Sequence, residues 1–326
     1  AYLRAGITTA QEGATMKHQL DLLRVLAKRG KLKLDLVALP FITEIDAVFA
    51  GKLPADEPEY VNRLRIGGVK VVADGSPQGR TAAFTTPYLT GGPAGQERWR
   101  GELSFPQAQI NEWVKKVYDG GATLSVHCNG DAAIDALLEA HRFASGGDPV
   151  KPRGTVGIHS QFIRRDQLEK YAAWNITPSF FTLHCFYFGD THVTNRGAEQ
   201  AAFISPMKSA LALGIRPANH TDFNVSPLNQ LFTLHTAVNR TSRASSPTSS
   251  SSRPTRRRPT RPRLKRSKSW RRSRRGRRCG RSDGRYGRSR DSGCRTIRPR
   301  RDGIGESLTN AIEQVLRHGS EAVHDE

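Results

Sequence analysis

Four polar side chains sit in or at the end of apolar runs: Lys70 in "GVKVVADG", His127 in "TLSVHCNG", His159 in "TVGIHSQF" and Asp222 in "IRPANHTDF". Neutral imidazole is the commonest side-chain ligand of divalent metals, and its second nitrogen is normally fixed by an outer-shell acceptor. A carboxylate beside such histidines can bind the cation and accept the proton of an attacking water. Each residue also has a plainer role when taken singly. His127 reads as a strand-end histidine satisfied by the backbone, Asp222 as the cap of a helix begun by "SPLNQLF", and Lys70 as an edge lysine. Between Val69 and Val71-Val72, however, Lys70 projects from a buried strand and needs a partner or a lowered pKa. The choice turns on whether the fold brings the four together.

The elements that could do so alternate along the chain. Runs rich in Val, Ile, Thr and Phe at 7–13, 34–40, 68–75, 123–130, 155–162, 177–183 and 215–223 predict strands. Helical patterns lie between them. In "SFPQAQINEWVKKVYDGG" a Ser104–Gln107 capping-box spacing precedes Ile110, Trp113, Val114 and Val117 at i, i+3, i+4, i+7, and Gly120-Gly121 ends the run. "DAAIDALLEAHRFA", capped by Asp131, is expected to bury Ile134, Leu137 and Leu138, and "RRDQLEKYAAWN" and "SPMKSALALG" follow the same pattern. This alternation predicts an α/β fold of parallel strands: a (β/α)8 barrel, incomplete, with about seven strands present. The C-terminal strand ends of such a barrel converge on one mouth, where Lys70, His127, His159 and Asp222 can meet.

Further residues border the predicted mouth. His220, two before Asp222, His184 after "SFFTL", and Arg80 in "ADGSPQGRTA" are placed as substrate-binding. Asp74 shapes the same loop, and Gly75 and Gly79 serve its turn. Phe180, Phe181, Phe186, Tyr187 and Phe188 read as core and wall, able to form an apolar substrate pocket.

Composition divides the chain. Residues 243–301 hold 24 of the 51 Lys and Arg but two of the 30 acids, so the remainder is nearly neutral despite a net charge of +21. The Arg/Ser-rich stretch 243–303 carries almost no aliphatic residues and cannot offset chain entropy by burial, which predicts disorder. A short helical pattern, "SLTNAIEQVLRHG", lies in 304–326. The organisation is therefore a barrel domain over 1–242, a basic tail and a C-terminal helix. Cys128 and Cys185 lie in apolar surroundings with no CxxC spacing, which predicts buried thiols rather than a disulfide. No apolar run reaches 18 residues, and no signal peptide is visible. The start "AYLRAGITTA", without Met, reads as the inside of a longer chain with room for an upstream targeting segment.

The stretches "LRAGITTAQEG", "VKVVADGSPQGRTA", "VHCNGDAAID", "IHSQF" and "NHTDFNVSPL" resemble amidohydrolase family 3, the YtcJ-like group of the metal-dependent amidohydrolase superfamily. The resemblance covers roughly 1–242 and keeps the order Lys, His, His, Asp on successive strands. It implies a hydrolase of carbon–nitrogen, amide-type bonds that uses one or two divalent metals, zinc foremost. It implies Lys70 (carboxylated and bridging), His127, His159 and Asp222 as metal ligands, with Asp222 also the catalytic base. The family's first strand carries a His-x-His pair that this sequence lacks, so one metal loses two ligands. Lys70, His127 and His159 still supply the three protein ligands that a zinc site needs.

Runs such as "RRSRRGRR" offer another reading, salt-dependent binding of nucleic acid or other polyanions. No folded binding motif accompanies them, and Trp270 and Tyr286 are the tail's aromatics, so no specific nucleic acid is expected, nor a membrane. The expected partner is a small amide-type substrate, with a homo-oligomer favoured by open strand edges. A non-functional amidohydrolase fragment is the third reading. Out-of-frame translation of a GC-rich gene would produce such a tail. Translating the coding DNA in its other frames is then expected to restore a hydrophobic, family-like continuation, and if no frame does, that origin is excluded.

Overall fold

The computed structural model describes residues 1–49 and 59–243. The basic tail beyond Arg243 and the helix expected within 304–326 lie outside the described residues. Strand and helix alternate as expected: β1 (Thr9–Thr15), α1 (Lys17–Lys28), β2 (Asp35–Pro40), α2 (Ile45–Phe49), β3 (Leu64–Ile66), β4 (Val69–Val72), α3 (Gln107–Asp119) and β5 (Leu124–Cys128). There follow α4 (Asp131–Ala144), β6 (Thr155–His159), α5 (Arg165–Ala173), β7 (Thr177–Phe180), α6 (His184–Tyr187), α7 (Gly189–Arg196), α8 (Ala198–Ala202), α9 (Met207–Ala212), β8 (Ala218–Asn219) and α10 (Gln230–Arg243).

All pairings between strands are parallel, in the orders β1-β2-β3 and β4-β5-β6-β7-β8. The two sheets join through a bent strand. Leu36 pairs with Leu64 and Ala38 with Ile66, but Phe41 pairs with Lys70, so the register slips by one residue at Gly67-Gly68. β3 and β4 are thus two halves of one barrel position, giving seven positions among the described residues, in an arc of the (β/α)8 type. Gly68 adopts φ +118°, and a Cβ there would stand 2.2 Å from Thr123 Oγ1 and 2.6 Å from its carbonyl oxygen. Only glycine fits both the backbone and the space.

The main core lies between the β4–β7 strands and the helices behind them. Val71, Leu124, Val126 and Cys128 from the strands meet Ile110, Val114 and Val117 of α3 and Ile134 and Leu137 of α4, all fully buried. The expected apolar faces of α3 and α4 are therefore the ones that pack, with Trp113 partly buried at the edge. A smaller cluster seats α1 on β2 and β3 through Leu20, Ala38 and Ile66.

Several local expectations are corrected. Ser104 does not cap α3: Pro106 occupies the cap position, and Gln107 Nε2 instead donates to Asn111 Oδ1 and the Ala136 carbonyl. Asp131 is the first residue of α4 rather than its cap, and its carboxylate accepts from Thr85 and Arg164. Asp222 caps nothing, because α10 begins eight residues later. Cys185 is part-exposed, and Phe186 and Tyr187 face solvent at 64% and 43%, while Phe180 and Phe181 are fully buried. The aromatic run is half core and half surface because α6 turns its far face outward.

Replacing Gly68 with Ala is expected to destabilise the domain by about 1–3 kcal/mol through overpacking and backbone strain. Gly13, with nothing within 4 Å of a built Cβ, serves as the control. Urea midpoints with unchanged slopes measure both, and equal midpoints for the two variants would contradict the bent-strand account.

Candidate metal centre

Strand alternation sets which side chains can enter the barrel. Lys70 of β4 pairs with Ser125 of β5, Val72 with His127, His127 with Ile158, and Ile158 with Ser179 of β7. These positions share one face, and Lys70, Val72, His127, Ile158 and Ser179 all line a cavity of about 610 Å³ at the strand ends. His159 follows Ile158 and should point to the opposite face. It lines the same cavity, because its backbone turns left-handed at φ 66°. The neighbouring Ser160 (φ 41°) braces this turn by donating its hydroxyl to the Gly157 carbonyl. After β8 the same device recurs: His220, Thr221 and Asp222 all line the cavity, with Asp222 at φ 48°. Non-glycine residues held in this region cost of order 1–3 kcal/mol each and cluster at functional sites.

Lys70 is 6% exposed, and burial lowers its ammonium to about 8, opposed by Cys128, Asp222 and Glu12. Among the described residues it forms no ion pair. His127 Nε2 lies 3.2 Å from the Gly75 carbonyl and 3.6 Å from Asp74 Oδ1, which leaves Nδ1 for a ligand. Burial, then the nearby Lys70, hold this ring neutral, with its pKa lowered to about 4. The His127 and His159 rings meet edge-on at 4.6 Å between centroids. His159 is buried and kept well below the ordinary histidine range by desolvation and then His127. His220 Nε2 stands 3.1 Å from His159 Nδ1, and its Nδ1 stands 3.0 Å from Ser179 Oγ. Burial lowers His220 to about 3. Burial raises the Asp222 carboxyl, with Lys70 opposing.

Among the described residues, His159, His220 and Asp222 are the one set of three whose ligand atoms lie within 4.8 Å of one another. Neutral imidazoles beside a carboxylate fit a divalent cation, since only the unprotonated ring offers a lone pair. Lys70 and His127 border the same cavity from β4 and β5. Arg80 and His184 are not among the cavity's lining residues. Arg80 donates to the Thr90 and Gly91 carbonyls, and His184 pairs with His192 at 3.1 Å beneath the Phe181 and Phe188 rings.

Asp74 has a larger role than its place in a turn suggested. Its buried carboxylate accepts from the backbone N–H groups of Ala83, Asn129 and Gly130, tying together the loops that follow β4 and β5. Burial raises it to about 7 against these three donors. A Cβ on Gly130 would stand 1.8 Å from the Ala83 carbonyl oxygen, so the clamp also requires a glycine. Glu12 and Ser179 also enter the cavity, with no sequence signal for either: Glu12 sits among the polar residues Thr9, Gln11 and Thr15 of β1, and Ser179 is a small residue inside β7.

The amidohydrolase family model matches residues 1–279, and the chain belongs to that family. Among solved structures, an uncharacterized metal-dependent hydrolase from Pyrococcus furiosus superposes with a TM-score of 0.65 at 26% identity, covering 76% of this chain and 48% of that one. Another from Pyrococcus horikoshii OT3 gives 0.63 at 25% identity, covering 73% and 46%. Putative amidohydrolase YtcJ of Bacillus subtilis is 24% identical over 183 residues, 55% of this chain and 32% of that protein. The chain thus spans about a third of this curated relative and about half of the solved ones.

The Lys70 shift has a definite sign for metal-free protein. An amine at about 8 when folded and 10.5 when unfolded contributes stability fully present above 10.5 and lost as pH falls through 8. Lys70→Met removes this dependence, worth roughly 3 kcal/mol between the two limits. Denaturant unfolding of metal-stripped wild type and variant from pH 7 to 10.5 measures it. Parallel curves would contradict a buried, unpartnered amine.

Proposed function

We propose that the chain is a metal-dependent hydrolase of amide-type, non-peptide carbon–nitrogen bonds. The observation that carries the reading is the convergence of Lys70, His127, His159, His220 and Asp222 on one cavity from four strand ends. Family membership and the metal-dependent hydrolase neighbours support hydrolysis in general. In this reading Lys70, His127, His159 and Asp222 hold one or two divalent ions, zinc foremost, and a carboxylated Lys70 turns a costly buried amine into an oxygen ligand. A bound ion supplies Lewis-acid polarisation of the substrate carbonyl and activation of water.

The chain's own groups do the rest. Asp222 takes the proton from the attacking water and delivers it to the leaving nitrogen. Its carboxyl, raised by burial, makes it a better base for that exchange than a solvated aspartate. The Gly75 carbonyl orients His127, and the Asp74 clamp fixes the loop that presents both. Tyr2, Ile7, Leu39, Phe223 and Leu228 line the cavity and favour a small substrate with an apolar portion. A small molecule is therefore the partner proposed.

The test strips the full chain with chelator, restores Zn2+, and follows hydrolysis of a panel of N-acyl amides. Activity is expected to vanish on stripping, return with metal, and fall about 100-fold or more in Asp222→Asn. A purified chain holding less than roughly a tenth of an equivalent of zinc, manganese or iron, and gaining no thermal stability from added metal, would overturn the reading.

A further inference from the structure

Resting on the reading that the cavity binds a cation, we propose that His220 is itself a ligand. His159, His220 and Asp222 then form a three-residue cation site at the β6–β8 side of the barrel mouth. The expected ligand set leaves His220 out and places it as substrate-binding, whereas the geometry gives it a ligand's place. Its Nε2 and His159 Nδ1 stand 3.1 Å apart. Two nitrogens bound to one tetrahedral zinc at ordinary bond lengths lie about 3.3 Å apart. A cation can therefore replace the proton these rings share with little movement of either.

The outer side of His220 is arranged as a ligand's is. Its Nδ1 lies 3.0 Å from Ser179 Oγ, and a proton held there by the serine oxygen turns the lone pair of Nε2 toward His159. The Phe181 ring stacks against His220 at 5.2 Å between centroids and fixes its plane. His127 stands differently, with Nε2 turned to the Gly75 carbonyl rather than to the pair. The carboxylate of Asp222 completes a set within 4.8 Å. Two imidazoles and one carboxylate leave a fourth position open on a tetrahedral ion, the arrangement of a catalytic rather than a structural site.

The experiment titrates Zn2+ into the metal-stripped full chain by calorimetry. Wild type is expected to bind, and His220→Ala to weaken binding by more than about a hundredfold, beyond the range of an outer-shell partner. Ser179→Ala is expected to weaken it about ten- to a hundredfold while leaving the metal-free melting temperature unchanged. His220→Cys loaded with Co2+ supplies a gain of signal that a misfolded chain cannot mimic, a thiolate-to-cobalt charge-transfer band. Unchanged affinity in His220→Ala, or a Co2+-loaded His220→Cys without that band, overturns His220 as a ligand and leaves the functional reading standing. Failure of wild type to bind Zn2+ overturns the functional reading, and His220's role with it.

Discussion

The left-handed backbone at His159 is the constraint on which the site depends. A regular strand would send Ile158 and His159 to opposite faces and leave the histidine in the core between sheet and helices. The turn at φ 66° delivers it to the cavity instead, and the ladder from Val72 through His127, Ile158 and Ser179 sets what it meets. Asp222 reaches the same cavity by the same kind of turn two residues beyond His220. The strain is offset by the surrounding packing: Ser160 bonds back to Gly157, and Tyr171 and Cys128 close over it from behind.

Desolvation then decides the chemistry of the groups brought together. It keeps His127, His159 and His220 uncharged, so their rings offer lone pairs to the cavity, and it lowers Lys70 to about 8. Asp222 moves the other way and gains affinity for a proton. The same burial leaves Cys128 inert, its thiol pushed up to about 12, although it sits beside His127 in sequence. Neighbours one residue apart thus acquire opposite roles because one faces the cavity and the other the core.

Much of this was legible from residue order. Runs rich in Val, Ile, Thr and Phe and their helical partners identify the strands of the arc, since parallel strands buried on both faces read as apolar runs. Lys70, His127, His159 and Asp222 stand out as polar residues at those ends. What the pattern does not carry is three-dimensional in origin. The slip at Gly67-Gly68 depends on a close approach to Thr123, which no local signal encodes. Arg80 and His184 carry the right chemistry, but neighbouring loop carbonyls and His192 engage them away from the cavity. His220 was visible as a neighbour of Asp222, while its pairing with His159 arises from 61 residues away.

The central claim is that the strand-end cavity holds a divalent cation between side chains of this chain. Anomalous diffraction at the zinc absorption edge, from crystals of the full chain grown with Zn2+, tests it most directly. The account predicts a peak inside the cavity with His159 nitrogen and Asp222 oxygen at about 2.0–2.2 Å. Zinc found at surface sites alone, with the cavity free of anomalous signal, would contradict it.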